Sequence, residues 1–231
     1  MNTFVVFSQE TIQFPSKDGL LITADLYKNA NSKKYILLFH QAGWSRGEYK
    51  EIAPWLVKMG FNCLAIDQRS GNQVNGVINY THKRAKERGL PGKYIDAYPD
   101  IEATIAYIIK NQKPEKLLIW GSSYSSSLVL KYAGVNPKKI DGVLAFSPGE
   151  YFGSSDFIAK SARNIQVPVF ITSAKNEEKN WRPIFNSIPG NKKQYFLPET
   201  KGNHGARALW DEFPDSKAYR DVVQQFLKAY L

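Results

Sequence analysis

Cysteine, methionine and histidine are scarce in this sequence: 231 residues hold one cysteine, two methionines and three histidines. A single thiol excludes an intramolecular disulfide framework. Cys63 sits inside an apolar run, 61–66, and reads as a small core residue rather than a reactive thiol. One cysteine and three scattered histidines (His40, His82, His204) make no ligand spacing, so neither a metal nor another cofactor is expected. Long apolar runs are missing too. Nothing approaches the roughly 18 apolar residues of a membrane span, and the opening stretch MNTFVVFS lacks the charged region and the apolar length of a signal peptide. These absences predict a cytoplasmic protein without membrane partners. Acidic residues are in deficit, 21 against 31 basic ones, which leaves a net charge of +10. The lysines are scattered. The densest basic stretch, Lys83-Arg84-Ala85-Lys86-Glu87-Arg88, reads as a solvated helix face, so nucleic acid is not expected as a partner.

Core-forming residues are plentiful, at 43% hydrophobic and 13% aromatic, and argue against disorder. Residues 11–15 and 20–27 alternate in polarity around Lys17-Asp18-Gly19 and predict a β-hairpin. From residue 35 onward, apolar runs alternate with helical spacing. Strands are expected at 35–39, 61–66, 116–120, 143–146, 167–172 and 193–197, and helices at 46–59, 99–111, after residue 123, and at 215–231. Fully apolar strands are covered on both faces. The expected fold is therefore α/β: a mainly parallel central sheet with helices on both faces and an antiparallel N-terminal hairpin. No repeat, low-complexity tract or linker interrupts the chain, so one domain is expected over 1–231. Residues 71–99 form an irregular insertion or small cap with one short basic helix.

The most informative stretch is Ile119-Trp120-Gly121-Ser122-Ser123-Tyr124-Ser125, which reads as strand, sharp turn and helix. Such a turn lifts a hydroxyl clear of the sheet while the N–H groups opening the helix point into the same space. Three serines, Ser122, Ser123 and Ser125, are candidates on this reading. In an open parallel sheet, ligands bind beyond the carboxyl ends of the strands. The loops there carry His40, Gln41, Asp67, Arg69, Ser123, Glu177, Glu178 and His204, with serine, acid and histidine in that chain order.

This set resembles the α/β-hydrolase superfamily, and within it the dienelactone hydrolase-like and short esterase-like members. The likeness runs from about residue 11 to the end and rests on five motifs: His40-Gln41-Ala42-Gly43, Asp67-Gln68-Arg69-Ser70-Gly71, Gly121-Ser122-Ser123-Tyr124-Ser125, the strand of Pro168 with its acidic loop, and Gly202-Asn203-His204-Gly205. The family's Gly-x-Ser-x-Gly pattern implies Ser123 as nucleophile, with Ser125 in place of the last glycine. It implies His204 as general base, and an acid five or six residues beyond the strand around Phe170: Glu177 first, with Glu178 and Asp156 as alternatives. The oxyanion donors would be the N–H of Tyr124 and that of Gln41 or Ala42. His40, Asp67 and Arg69 are expected to be structural, and His82 to be exposed. Trp44, Tyr80, Tyr151 and Trp181, with Tyr124 and Phe152, are candidates for an apolar substrate pocket. The implied activity is hydrolysis of a small carboxylic ester through an acyl-enzyme, beneath a minimal cap. The alternatives are a peptidase or amidase on the same triad, or a catalytically silent binding protein. The protein would be a monomer or small homo-oligomer.

Overall fold

The computed structural model describes residues 7–230. Residues 1–6, the larger part of the stretch 1–8 that carries the expectation of no signal peptide, and Leu231 lie outside the described residues. The chain opens with β1 (Phe7–Pro15) and β2 (Leu21–Asn29), paired antiparallel, followed by β3 (Lys34–Phe39), α1 (Ile52–Lys58) and β4 (Asn62–Ile66). A small ribbon, β5 (Gln73–Val74) and β6 (Val77–Ile78), leads to α2 (Tyr80–Glu87) and α3 (Tyr98–Gln112). Then come β7 (Lys116–Ser122), α4 (Tyr124–Val135), β8 (Gly142–Phe146) and α5 (Phe157–Ala162). The chain closes with β9 (Val169–Thr172), α6 (Glu178–Ser187), β10 (Lys193–Phe196) and α7 (Ser216–Leu227).

Eight strands form one sheet in the order β1-β2-β4-β3-β7-β8-β9-β10. From β4 to β10 all neighbours are parallel, and the hairpin lies antiparallel along the β4 edge. Period-two side-chain alternation divides the interior into two cores. Leu37, Phe39, Leu117 and Ile119 face one layer with Ile101, Ile105, Leu128 and Trp181. Ile36, Leu38, Leu118 and Trp120 face the other with Leu56, Val57, Val223 and Phe226.

Four segments differ from expectation. The helix expected over 46–59 is broken: a 3-10 turn at Arg46–Tyr49 precedes α1. Pro54 explains the break, because in a continuous helix its ring would meet the Lys50 carbonyl and its missing N–H would forfeit a bond. Residues 71–99 are more ordered than an irregular excursion and hold the ribbon, α2 and a 3-10 turn at Tyr94–Ala97. Helix α5 was not anticipated, and neither was helix α6. Pro183 and the dense charge of Glu178-Lys179-Asn180-Trp181-Arg182 mask its periodicity, yet it buries Trp181 and Ile184.

Sheet register assembles the site. Phe39 pairs with Gly121, so the loop after β3 abuts the turn after β7. Ser122 pairs with Phe146, which brings Ser147 beside Ser123, and Phe146 pairs with Thr172, which brings the loop after β9 alongside.

Candidate active site

Ser123 occupies the tip of the turn with φ 57 and ψ −125, a conformation that costs a non-glycine residue free energy and persists only where the surroundings enforce it. Two features enforce it. The Ser123 N–H donates to the Phe146 carbonyl at 2.7 Å. The chain also crosses itself so closely that a Cβ on Gly121 would lie 2.4 Å from the Ser125 carbonyl oxygen. Ser125 fits where the family pattern has glycine because its hydroxyl lies 2.6 Å from the His40 carbonyl oxygen, linking the elbow to the loop after β3. The neighbouring hydroxyls are engaged: Ser122 with Glu48, Ser126 with the Ser123 carbonyl, and Ser127 with the Gly149 carbonyl. The Ser123 side chain faces the Tyr151 hydroxyl, which donates to the Ser147 carbonyl at 2.9 Å.

His204 follows β10 in the loop at Gly202-Asn203-His204-Gly205, and its Nδ1 lies 2.5 Å from Glu177 Oε1. The other Glu177 oxygen accepts from the Ser147 hydroxyl at 2.6 Å and from the Ala174 N–H at 3.1 Å. Burial opposes charge on Glu177, but the bonds from His204, Ser147 and Ala174 outweigh it and hold the carboxyl below its ordinary range. Ser147 also accepts from the Gly205 N–H at 2.9 Å, so one hydroxyl joins the acid to the histidine loop. In the sequence Ser147 looks like an ordinary turn residue; its φ of 56 is the structural mark that sets it apart. Glu178 pairs with Arg182, and Asp156 with Lys160 at 3.0 Å, so neither approaches the role of partner to His204.

Gln41 and Ala42 separate clearly. The Gln41 N–H donates to Glu48 Oε2 at 2.8 Å and is not available as an oxyanion donor, which corrects one of the two expected positions. The N–H groups of Ala42 and Tyr124 have no partner among the described residues and lie on the two loops that the β3–β7 register brings together. Glu48 itself was missed. It is fully buried, and burial pushes its carboxyl up to about 7 against the bonds from Ser122 and the Gln41 N–H.

His40 is structural. It is buried, Nδ1 sits 2.7 Å from the Gln41 carbonyl oxygen, and Nε2 accepts the Gln68 N–H at 2.9 Å. Nδ1 therefore carries the proton, and burial holds the ring neutral down to about 4. Asp67 binds Arg46 at 2.8 Å, and Arg69 binds Asp18 and Asp100, both at 2.7 Å, so these form the framework beneath the loops. His82 was expected to be exposed; it is partly buried, with Nδ1 2.7 Å from the Arg69 carbonyl oxygen.

The aromatic residues expected in a pocket disperse. Tyr151, whose hydroxyl faces Ser123, lines a cleft of about 390 Å³ together with Lys93, Tyr94, Ile95, Phe152 and Phe157. Tyr94 stacks on Tyr124 at 4.8 Å, so the 71–99 segment supplies one wall. Trp181 does not line it: the indole is fully buried and donates to Ser173 Oγ at 2.7 Å. Trp181 and Ile184, three residues apart, lie on the one face of α6 that turns into the core, and only a helix puts them there. Trp44 stacks on Trp210 at 5.3 Å, and Tyr80 is exposed beside Arg46; neither is part of that cleft. Among the described residues no group of three His, Cys, Asp or Glu side chains could hold a metal ion, and no helix is long and apolar enough to cross a membrane.

A sheet of this order with a strained serine between β7 and α4, and a histidine–carboxylate pair beyond its last strands, defines an α/β-hydrolase. Residues 30–151 match the family described as serine aminopeptidase, S33, and the chain belongs to that family. Among solved structures it is similar to a dienelactone hydrolase from Anabaena variabilis, at 14% identity and a TM-score of 0.76 over 97% of this chain and 99% of the other. It is similar to an esterase from Pyrococcus furiosus at 18% identity and 0.71, over 96% and 93% of the two chains. Acetyl xylan esterase 1 from a Thermoanaerobacterium species aligns at 13% identity and 0.69, over 98% and 85%. Among curated proteins, none matches this sequence.

Proposed function

We propose that this protein is a serine hydrolase that cleaves a small carboxylic ester through an acyl-enzyme on Ser123, His204 and Glu177. The reading rests above all on the 2.5 Å contact of His204 with Glu177, at the same sheet edge as the Ser123 elbow. Ser123 Oγ gives its proton to His204 Nε2 as it attacks the ester carbonyl. The tetrahedral oxyanion is held by the N–H groups of Tyr124 and Ala42, each worth about 3 kcal/mol to the transition state. His204 passes the proton to the departing alkoxide, and water releases the acid by the same steps in reverse order. Glu177 keeps Nδ1 protonated and the ring aimed, and stabilises the imidazolium. The cleft walled by Tyr94, Tyr151, Phe152 and Phe157 suits the apolar part of a small substrate.

The family's description favours a second reading, release of an N-terminal amino acid. That reaction needs a carboxylate to take the substrate's ammonium group. The carboxylate beside Tyr151 on the adjoining surface, Glu150, is already held by the N–H groups of Ile158 and Ala159 at 2.7 and 2.9 Å. The ester cleft itself carries Lys93 instead. Turnover of p-nitrophenyl acetate beside an aminoacyl p-nitroanilide separates the two. Ester turnover that disappears in Ser123→Ala is expected; faster turnover of the anilide would replace the ester reading with the peptidase one.

A further inference from the structure

Glu48 takes no part in the chemistry above, yet its carboxyl ties three loops of the site together, two directly and the third through Ser122. It lies in the 3-10 turn Arg46–Tyr49 and is fully buried. Oε2 accepts the N–H of Gln41, the residue before Ala42, at 2.8 Å. Oε1 accepts the hydroxyl of Ser122, the residue before Ser123, at 2.6 Å. Ser122 Oγ in turn accepts the N–H of Ala206, two residues past His204, at 2.9 Å. The packing has no slack: a Cβ on Gly205 would lie 2.5 Å from Ser122 Oγ. The Glu48 carbonyl is fixed as well, by Trp210 Nε1 at 2.9 Å.

Both groups that meet the carboxyl are donors. A carboxylate accepts at both oxygens; a protonated acid or an amide presents a donor to one of them and breaks one link. A buried charge is unfavourable unless its hydrogen bonds need it, and a fold with no use for it is served as well by a neutral side chain. We propose that Glu48 is a positioning residue: as the ionised carboxylate it sets the Ala42 N–H, the Ser123 elbow and the His204 loop relative to one another, and the enzyme is fully active only in that state. This inference rests on the ester-hydrolase reading above.

Burial brings the Glu48 carboxyl up to about 7, where its charge changes under ordinary assay conditions. The ionisable groups facing it are His204 from the last loop, Tyr124 from the start of α4 and Tyr49 from its own turn. Protonating Glu48 turns one acceptor into a donor and breaks one of these links, so activity falls on the acid side as Glu48 takes up its proton.

The test is the pH profile of p-nitrophenyl acetate hydrolysis for the wild type, Glu48→Gln and Ser122→Ala. In the wild type, kcat/KM is expected to fall on the acid side with a component set by protonation of Glu48. Glu48→Gln should lack that component, so that its acid limb is shallower than the wild type's, and lose about tenfold or more in kcat with little change in KM, the signature of a transition-state contact put out of place. Ser122→Ala removes a donor that favours the ionised form, so its acid limb should move to higher pH. A Glu48→Gln profile that overlays the wild type overturns the proposal. If that variant does not fold, an unmoved acid limb in Ser122→Ala overturns it instead. Labelling of the wild type by a fluorophosphonate keeps the two readings apart. A Ser123 adduct with unchanged variant profiles defeats only the role of Glu48, whereas no adduct defeats the hydrolase reading and this inference with it.

Discussion

Replacing Ser147 with alanine removes the one hydroxyl that joins Glu177 to the histidine loop. Two bonds disappear together: the donation to Glu177 Oε2 at 2.6 Å and the acceptance of the Gly205 N–H at 2.9 Å. The first is charge-assisted and worth about 1.5–3 kcal/mol; the second leaves a buried N–H without a partner, at about 1–3 kcal/mol. The two overlap, so a loss of about 3 kcal/mol is expected, or roughly 6–12 °C in Tm for a chain of this size. Glycine at the same place loses the same bonds but is relieved of a positive φ of 56, and should be about 1 kcal/mol more stable than the alanine variant. The pH dependence has a definite sign. Glu177 is held below its ordinary value of 4.5, so its stabilisation is present above that pH and fades as pH falls through the folded-state value. Without Ser147 the folded value rises and the contribution shrinks, so wild type and variant converge in acid. Chemical denaturation near neutral pH and in mild acid measures this, with p-nitrophenyl acetate turnover followed in parallel. An alanine variant as stable as the wild type at neutral pH, or a gap that widens in acid, would show that Ser147 does not hold Glu177 in this way.

Glu177→Gln should fold normally yet lose about 10³–10⁴ in kcat, because an amide does not hold the imidazole in the required tautomer or stabilise its cation; steady-state kinetics beside a circular dichroism spectrum checks it. Gly121→Ala places a Cβ 2.4 Å from the Ser125 carbonyl oxygen and 2.5 Å from Ser126 Cα, both backbone, and should cost several kcal/mol or leave the protein insoluble, as read by soluble yield and urea midpoint. Glu48 and His40 pull stability in opposite directions with pH. Glu48, raised from 4.5 to about 7, favours the fold below 4.5 and loses about 3 kcal/mol of that as pH rises through 7. His40, lowered from 6.5 to about 4, favours the fold above 6.5 and loses a similar amount, about 3 kcal/mol, as pH falls toward 4. Denaturation midpoints across this range should therefore show Glu48→Gln losing less stability than the wild type on the alkaline side.

The parts of the fold that local pattern specifies were legible. Residues 35–39 are apolar throughout because β3 is covered on both faces, and the small residues around Ser123 are demanded by a chain crossing at Gly121. The acid was implied by the family resemblance rather than by local pattern, and of the three carboxylates it left open, Glu177 is the one that lies 2.5 Å from His204 Nδ1. Other features exist only through closure over long sequence distances. Glu48 looks like any surface acid in an amphipathic stretch until Gln41, Ser122 and Ala206 come together on it. Gln41 looked like a donor to the oxyanion for the same reason: its N–H is taken by a residue whose burial the sequence does not display. Ser147 reads as part of a Ser-Pro-Gly turn, and its two bonds reach 30 and 58 residues away. Trp181 was misplaced because Pro183 hid the helix that turns it inward.

The assignment of Ser123 as nucleophile is tested most directly by mass-spectrometric mapping of the protein after reaction with a fluorophosphonate. A single adduct is expected, on Ser123, absent in Ser123→Ala and formed far more slowly in His204→Ala. An adduct on Ser122 or Ser125, or ester turnover that survives in Ser123→Ala, would exclude Ser123 from that role.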